Sequence, residues 1–197
     1  MTPVTCDITV SSDGFAAGPN QSLQTPLGEG GERLHRWMFE QPEENAAEVA
    51  AILDAGAYIM GRNMFGPGRG EWDLEWTGWW GDEPPYRAPV FVLTHHPRPP
   101  LTMAGGTTFT FVTDGIEAAL EQARAAAGER SVAIAGGAST VRQYLAAGLI
   151  DELRLHVAPV VLREGEPVLT GLDDFTLQPA GSVERELVTH VTCRSLG

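Results

Sequence analysis

The sequence predicts an α/β fold: a mainly parallel sheet with helices on both faces and an antiparallel C-terminal edge. Three observations carry that expectation. The runs "AYIM" (57–60), "VFVLT" (90–94) and "SVAIA" (131–135) are almost wholly apolar, as strands buried on both faces are. Segments of helical period separate them. The last stretch of chain has strand-like runs with no helix between them.

Taken in order, the first run alternates. Val4, Cys6, Ile8 and Val10 point one way, and Thr5, Asp7 and Thr9 the other. "SSDGFAAGPN" then breaks into a long loop, and a short helix is expected from about Glu32 to Phe39. Pro42, Glu43 and Glu44 read as the first turn of a second helix, with acids at its positive end. Val49, Ile52 and Leu53 share its apolar face, and Gly56 is its expected stop. "AYIM" is a buried strand ended by "GRNMF". A long segment follows, "GPGRGEWDLEWTGWWGDEPPYRAP", holding four of the five tryptophans. Irregular segments of that length inside a compact domain are usually functional. Beyond "VFVLT", "TFTFVT" (108–113) is another strand. Asp114 and Glu117 stand at capping-box spacing ahead of Ile116, Leu120 and Ala123, and Gly128 stops that helix. After "SVAIA", Val141, Tyr144 and Leu145 mark a helix that stops at Gly148. "DELRLHVAPVVL" alternates through Leu153, Leu155 and Val157, and two alternating segments near 175–178 and 183–194 close the chain. With no linker or repeat, residues 1–197 read as a single domain.

Bulk properties exclude some functions. A chain of 197 residues, 43% hydrophobic, buries a substantial core. A net charge of −13 disfavours nucleic acid and anionic membrane surfaces. No apolar run reaches the ~18 to 20 residues of a membrane span, and no secretory signal is visible, so a cytoplasmic protein with reduced, buried Cys6 and Cys193 is expected.

Ligands of open α/β sheets sit beyond the carboxyl ends of the strands. There the chain places Gly61 and Arg62, then Thr94, His95, His96 and Arg98, then Gly136, Gly137, Ala138, Ser139 and Thr140. Adjacent glycines let backbone N–H groups approach a ligand, and the helix that follows turns its positive end to the same place. Ser139 and Thr140 either cap that helix or donate to a phosphate. In so acidic a chain, cations after two other strands suit a second phosphate, hence a dinucleotide with a 2′-phosphate. The plainer alternatives are a strand-to-helix turn, exposed imidazoles and a surface ion pair. Trp72, Trp76, Trp79 and Trp80 read two ways. They are a loop folded onto its own aromatics or a dimer contact, or else an aromatic wall for a planar substrate, with Glu71 and Asp73 for polar specificity. No Walker loop, His-Glu-x-x-His, paired Cys-x-x-Cys or G-x-S-x-G occurs, so no metal and no hydrolytic nucleophile is expected.

Together "YIMGRNMF", "FVLTHHP", "AIAGGASTVRQYLAAGLIDELRLHVAPVVL" and "SSDGFAAGPN" resemble the dihydrofolate reductase-like superfamily. The resemblance is closest to the branch that includes the C-terminal reductase domain of riboflavin biosynthesis proteins (RibD), and it runs in order over nearly the whole chain. It implies a three-layer α/β/α fold on a mixed sheet of about eight strands, binding NADPH. Gly136 and Gly137 would hold the pyrophosphate, with a cis peptide allowed between them, and Ser139 and Thr140 would sit beside it. Gly61, Arg62, Thr94 and His95 would surround the adenosine 2′-phosphate. The loop of Asp13, Gly14, Phe15 and Ala16 would lie over the nicotinamide. One departure is Arg163, which stands where riboflavin-type relatives tend to have a glycine.

The expected activity is therefore NADPH-dependent reduction of a C=N, C=O or C=C bond in a small organic substrate, pteridine- or pyrimidine-like compounds included. That is an activity like dihydrofolate reductase or 5-amino-6-(5-phosphoribosylamino)uracil reductase. Asp13, His35 and Asp73 are the candidate proton donors. The resemblance also implies a homodimer. The rivals are a catalytically silent NADP(H)-binding sensor or assembly module on the same fold, and a flavin-using reductase.

Overall fold

The computed structural model describes residues 2–66, 68–172 and 176–195. Its strands in chain order are β1 (Val4–Ser11), β2 (Ala57–Gly61), β3 (Pro89–Leu93), β4 (Leu101–Thr102), β5 (Thr108–Val112), β6 (Val132–Gly136), β7 (Glu152–Ala158), β8 (Leu177–Glu184) and β9 (Thr189–Ser195). Its helices are α1 (Arg36–Glu40), α2 (Ala46–Ile52), α3 (Arg62–Phe65), α4 (Gly115–Ala127) and α5 (Ala138–Ala146), and a 3-10 turn over Gly31–His35 leads into α1. All nine strands form one sheet in the order β4-β5-β3-β2-β6-β1-β7-β9-β8. The six from β5 to β7 run parallel, and β4, β9 and β8 pair antiparallel.

Alternation in β1 sends Val4, Cys6, Ile8 and Val10 into one core, where they meet Leu120 and Ala123 of α4 and Val141, Tyr144 and Leu145 of α5. The opposite sheet face has two covers. Over β2, β3 and β5, Phe65, Tyr86 and three indoles pack on Tyr58, Met60, Val90, Val92 and Phe109. Over β7 and β9 the fully buried Trp37 of α1 rests on two histidines. No helix among the described residues is long and apolar enough to cross a membrane.

Four details differ from the sequence-based expectations. The sheet has nine strands rather than about eight, because two residues of β4 fold back on β5 and make that edge antiparallel too. The final pair is split differently, with the turn at 185–188 closed by Arg185 N–H donating to the Val188 carbonyl (2.8 Å). Pro179 and Gly181 blur the alternation that locates β8, since the register shifts between them. Phe175, where the expected segment begins, lies outside the described residues. The second helix begins at Ala46, not at Pro42, and ends at Ile52, well before Gly56. Its N-cap residue Asn45 turns inward, donating to the carbonyls of Trp37 and Gln41 (3.1 and 2.8 Å), and so leaves Pro42–Glu44 in a turn. Asp114 precedes α4 but makes no side-chain cap, so the capping box does not form.

Candidate functional site

At the end of β6, Gly136 has φ 124° and is joined to Gly137 by a cis peptide. A Cβ built on Gly137 would meet no atom within 4 Å, so this corner of the backbone faces open space. No side chain caps α5. Its first-turn N–H groups therefore lack a side-chain acceptor, and the positive end of the helix is open at the same corner. Ser139 and Thr140 are not its caps: both lie inside α5, Ser139 exposed and Thr140 buried. The Thr140 hydroxyl instead fills the space where a Cβ on Gly61 would go, which explains glycine at the end of β2. Gly61, Gly136, Gly137, Ala138 and Thr140 are thus brought together.

Helix α3 connects this corner to a cleft of about 650 Å³. Its Met64 sulfur would lie 3.3 Å from a Cβ on Gly136, and Asn63 lines the cleft. The opposite wall is the loop from Gly18 to Pro26, held in shape by Gly18 N–H to Leu27 O (2.8 Å), Glu29 N–H to Pro19 O (2.8 Å) and Asn20 Nδ2 to Glu29 Oε1 (2.9 Å). Glu164 and Glu166 contribute carboxylates, while Arg69 and Trp79 come from the tryptophan-rich segment. A volume of this order suits a small-molecule ligand.

The loop after β1 is fastened to the 162–168 segment. Ala16 N–H donates to Glu166 O (2.9 Å), Glu166 N–H to Ala17 O (2.9 Å) and Val168 N–H to Gly14 O (3.1 Å). Gly165 has φ 137°, and a Cβ there would collide with the Ala17 carbonyl. Asp13 accepts the N–H groups of Leu162 (3.1 Å) and Arg163 (2.7 Å). The Ser11 hydroxyl first, and then those two amides, hold its carboxyl below the usual carboxylate range. That suits an anchoring carboxylate better than a proton donor. Arg163 takes φ 70°, the left-handed conformation glycine favours.

The remaining candidates are engaged in packing. Arg62 donates to the carbonyls of Gly70 (2.5 Å) and Glu71 (3.2 Å) and lies 3.9 Å above the Trp72 ring. Burial lowers its pKa. Trp72 donates from Nε1 to His96 O (2.7 Å), and Trp76 to Phe65 O (3.0 Å). Arg98 is buried, donating to the carbonyls of Leu74 (3.0 Å) and Trp76 (2.5 Å). Thr94 accepts from His96 N–H (3.1 Å), and His96 pairs with Glu71 (3.3 Å), leaving His95 exposed beside them. Trp72, Trp76 and Trp80 belong to the second core, and of the four tryptophans only Trp79 lines the cleft. Asp73 caps its own turn at Glu75 N–H (3.0 Å), and neither it nor His35 lines the cleft. His35 is coupled electrostatically to His156 of β7, and burial first, then that coupling, lowers its pKa.

Asn63, Arg69, Glu164 and Glu166 were not singled out from the sequence. The signal was faint: Arg69 sits between two glycines, and the two glutamates flank Gly165.

The family model described as the RibD C-terminal domain matches residues 2–193. The protein YyaP of Bacillus subtilis, described as uncharacterized, is 24% identical over 172 residues, 82% of this chain and 77% of its own. Among solved structures, a putative riboflavin biosynthesis protein from Shewanella sp. PV-4 is similar with a TM-score of 0.67 at 21% identity, with each chain wholly covered. A Thermotoga maritima diaminohydroxyphosphoribosylaminopyrimidine deaminase/5-amino-6-(5-phosphoribosylamino)uracil reductase is similar with a TM-score of 0.60 at 13% identity, over 98% of this chain and 56% of that one.

Proposed function

Since the chain belongs to the RibD C-terminal domain family, we propose that it is an NADPH-dependent reductase of a small heterocyclic, pyrimidine- or pteridine-like substrate. The observation that carries this reading is the open corner at Gly136–Gly137, where bare backbone and an uncapped helix start coincide. A diphosphate fits there: it accepts from the free N–H groups and meets the positive helix end without steric opposition. NADPH, when bound, supplies a hydride to an electrophilic C=N, C=O or C=C bond. The chain itself supplies position and exclusion of water. Asn63 on α3 and the 164–166 loop orient ligand in the cleft, Trp79 offers an aromatic face, and Glu164 and Glu166 accept N–H groups of a heterocycle. Thr94, His95 and His96 form the polar turn nearest to Arg62's loop, and the 2′-phosphate belongs there once Arg62 exchanges its carbonyl partners for it. Ala16 and its neighbours lie over the nicotinamide in this reading, as part of the loop fastened to Glu166.

One observation favours the silent NADP(H)-binding alternative: Arg62 and Asp13 already have partners within the protein. Consumption of NADPH, followed at 340 nm with a panel of aminopyrimidines, dihydropterins and cyclic imines, separates the two. Turnover with any member supports the reductase; tight binding without turnover leaves the sensor. The homodimer belongs to the same proposal, and light scattering at micromolar concentration checks it.

A further inference from the structure

On the sheet face under α1 and α2, four polar side chains form one buried chain. Asp7 Oδ1 lies 3.2 Å from His156 Nε2, His156 Nδ1 lies 2.7 Å from His190 Nδ1, and His190 Nε2 lies 2.9 Å from Asn45 Oδ1. The two imidazoles are 2% and 6% exposed, and Trp37 packs on both at 5.0 Å between ring centroids.

Each contact requires a proton whose place can be assigned. Asp7 Oδ2 is paired with Arg154 (3.0 Å), so Asp7 is an ionised, acceptor-only carboxylate and His156 Nε2 carries a proton. Asn45 cannot be flipped, because its amide nitrogen already donates to two carbonyls; its oxygen therefore accepts, and His190 Nε2 carries a proton. The Nδ1–Nδ1 contact needs a third proton between the rings. Two neutral imidazoles hold two protons in all.

We propose that His156 and His190 form a built-in proton-binding site, an imidazole–imidazolium pair whose one shared proton fastens the α1–α2 cover to the sheet. The positive charge rests on His156, against Asp7, and His190 is the neutral acceptor at Nδ1. The fall in the pKa of His190, caused by burial first and by His156 second, agrees with that division. The groups facing the pair are Asp7 from β1, Arg154 from β7 with Glu152 beside it (3.5 Å), His35 from the 3-10 turn and Glu48 from α2; Arg185, after β8, also acts on His190. A small cavity of about 330 Å³ reaches Asp7, His156 and His190, giving the proton a route to solvent. Loss of the proton leaves two Nδ1 lone pairs facing each other, so His190 must move or shift its remaining proton from Nε2 to Nδ1, and either change breaks its bond to Asn45, which holds the turn between α1 and α2.

The test is ¹⁵N-imidazole NMR of the full chain from pH 6 to 9. At pH 7 we expect both nitrogens of His156 protonated, His190 protonated only at Nε2, and a bridging proton coupled to both Nδ1 atoms. Its loss on raising the pH should move the Asn45 side-chain amide signals in step. Two neutral rings at pH 7, or two independent titrations near the free histidine value, overturn the proposal. Urea unfolding gives a second readout. If the pair keeps its shared proton at pH 8, the native state holds three protons on these residues where an unfolded chain holds close to two. Stability then falls as pH rises, by a factor approaching tenfold in the folding constant per pH unit. His190→Gln should flatten that slope. A wild-type protein with no such slope contradicts the shared proton without reference to any variant.

Discussion

Two flanks of one sheet face solve the problem of cover in opposite ways. Over β2, β3 and β5, the chain uses aromatic rings, with Phe65 in edge contact with Trp72, Phe109 and Phe111, and with Arg98 lying over Phe65, Trp72 and Phe111. Over β7 and β9 it uses hydrogen bonds, with Asp7, His156, His190 and Asn45 in series beneath Trp37. The aromatic flank draws its strength from area and packing, which are tolerant of direction. The polar flank depends on every donor finding its acceptor, and one missing partner leaves the rest exposed to a desolvation penalty. The cations most suggestive of a ligand lie on the aromatic flank, where loop carbonyls hold them. The corner proposed for the cofactor lies beyond both, at the bare backbone of Gly136–Gly137.

Substitutions can break or sharpen that contrast. Phe65→Ala should have the largest effect, a loss of about 3 to 5 kcal/mol in urea unfolding, because its ring is fully buried at the centre of the aromatic flank. Asn45→Ala should lose about 2 to 3 kcal/mol by the same measurement, since it strands the carbonyls of Trp37 and Gln41 and the His190 N–H together. An effect near zero would mean that the polar flank is not a connected network. Arg62→Ala should reduce the preference for NADPH over NADH by about 1.5 to 3 kcal/mol in paired binding titrations. A lower melting temperature with the cofactor preference intact would assign Arg62 to the loop alone. Arg163→Gly should change stability by no more than about 1 kcal/mol, because relief of a left-handed residue is offset by a freer unfolded chain.

The parallel strands were legible in the sequence because two-sided burial writes a continuous apolar run, as in β2, β3 and β6. β8 was not, since Pro179 and Gly181 break its alternation and a register shift absorbs them. At the site, the paired glycines were legible as glycines, and the structure adds that the helix after them is uncapped. The role of Thr140 was not legible, because it depends on a contact with Gly61 from a different strand. Trp72 and Arg98 looked like ligand chemistry, and their partners are loop carbonyls that no composition reveals. His156 and His190 were least visible. Each sits on the face of its strand that alternation assigns to solvent, and burial of that face by Trp37 is a tertiary event.

The most direct test of the account is calorimetric titration of NADPH into the wild-type chain and into Gly137→Val, whose fold is checked by circular dichroism. Micromolar or tighter binding to the wild type, weakened about 100-fold or more in a folded variant, is the expected result. No heat from the wild type, or equal affinity in the two proteins, would contradict the placement of a cofactor diphosphate at Gly136–Gly137.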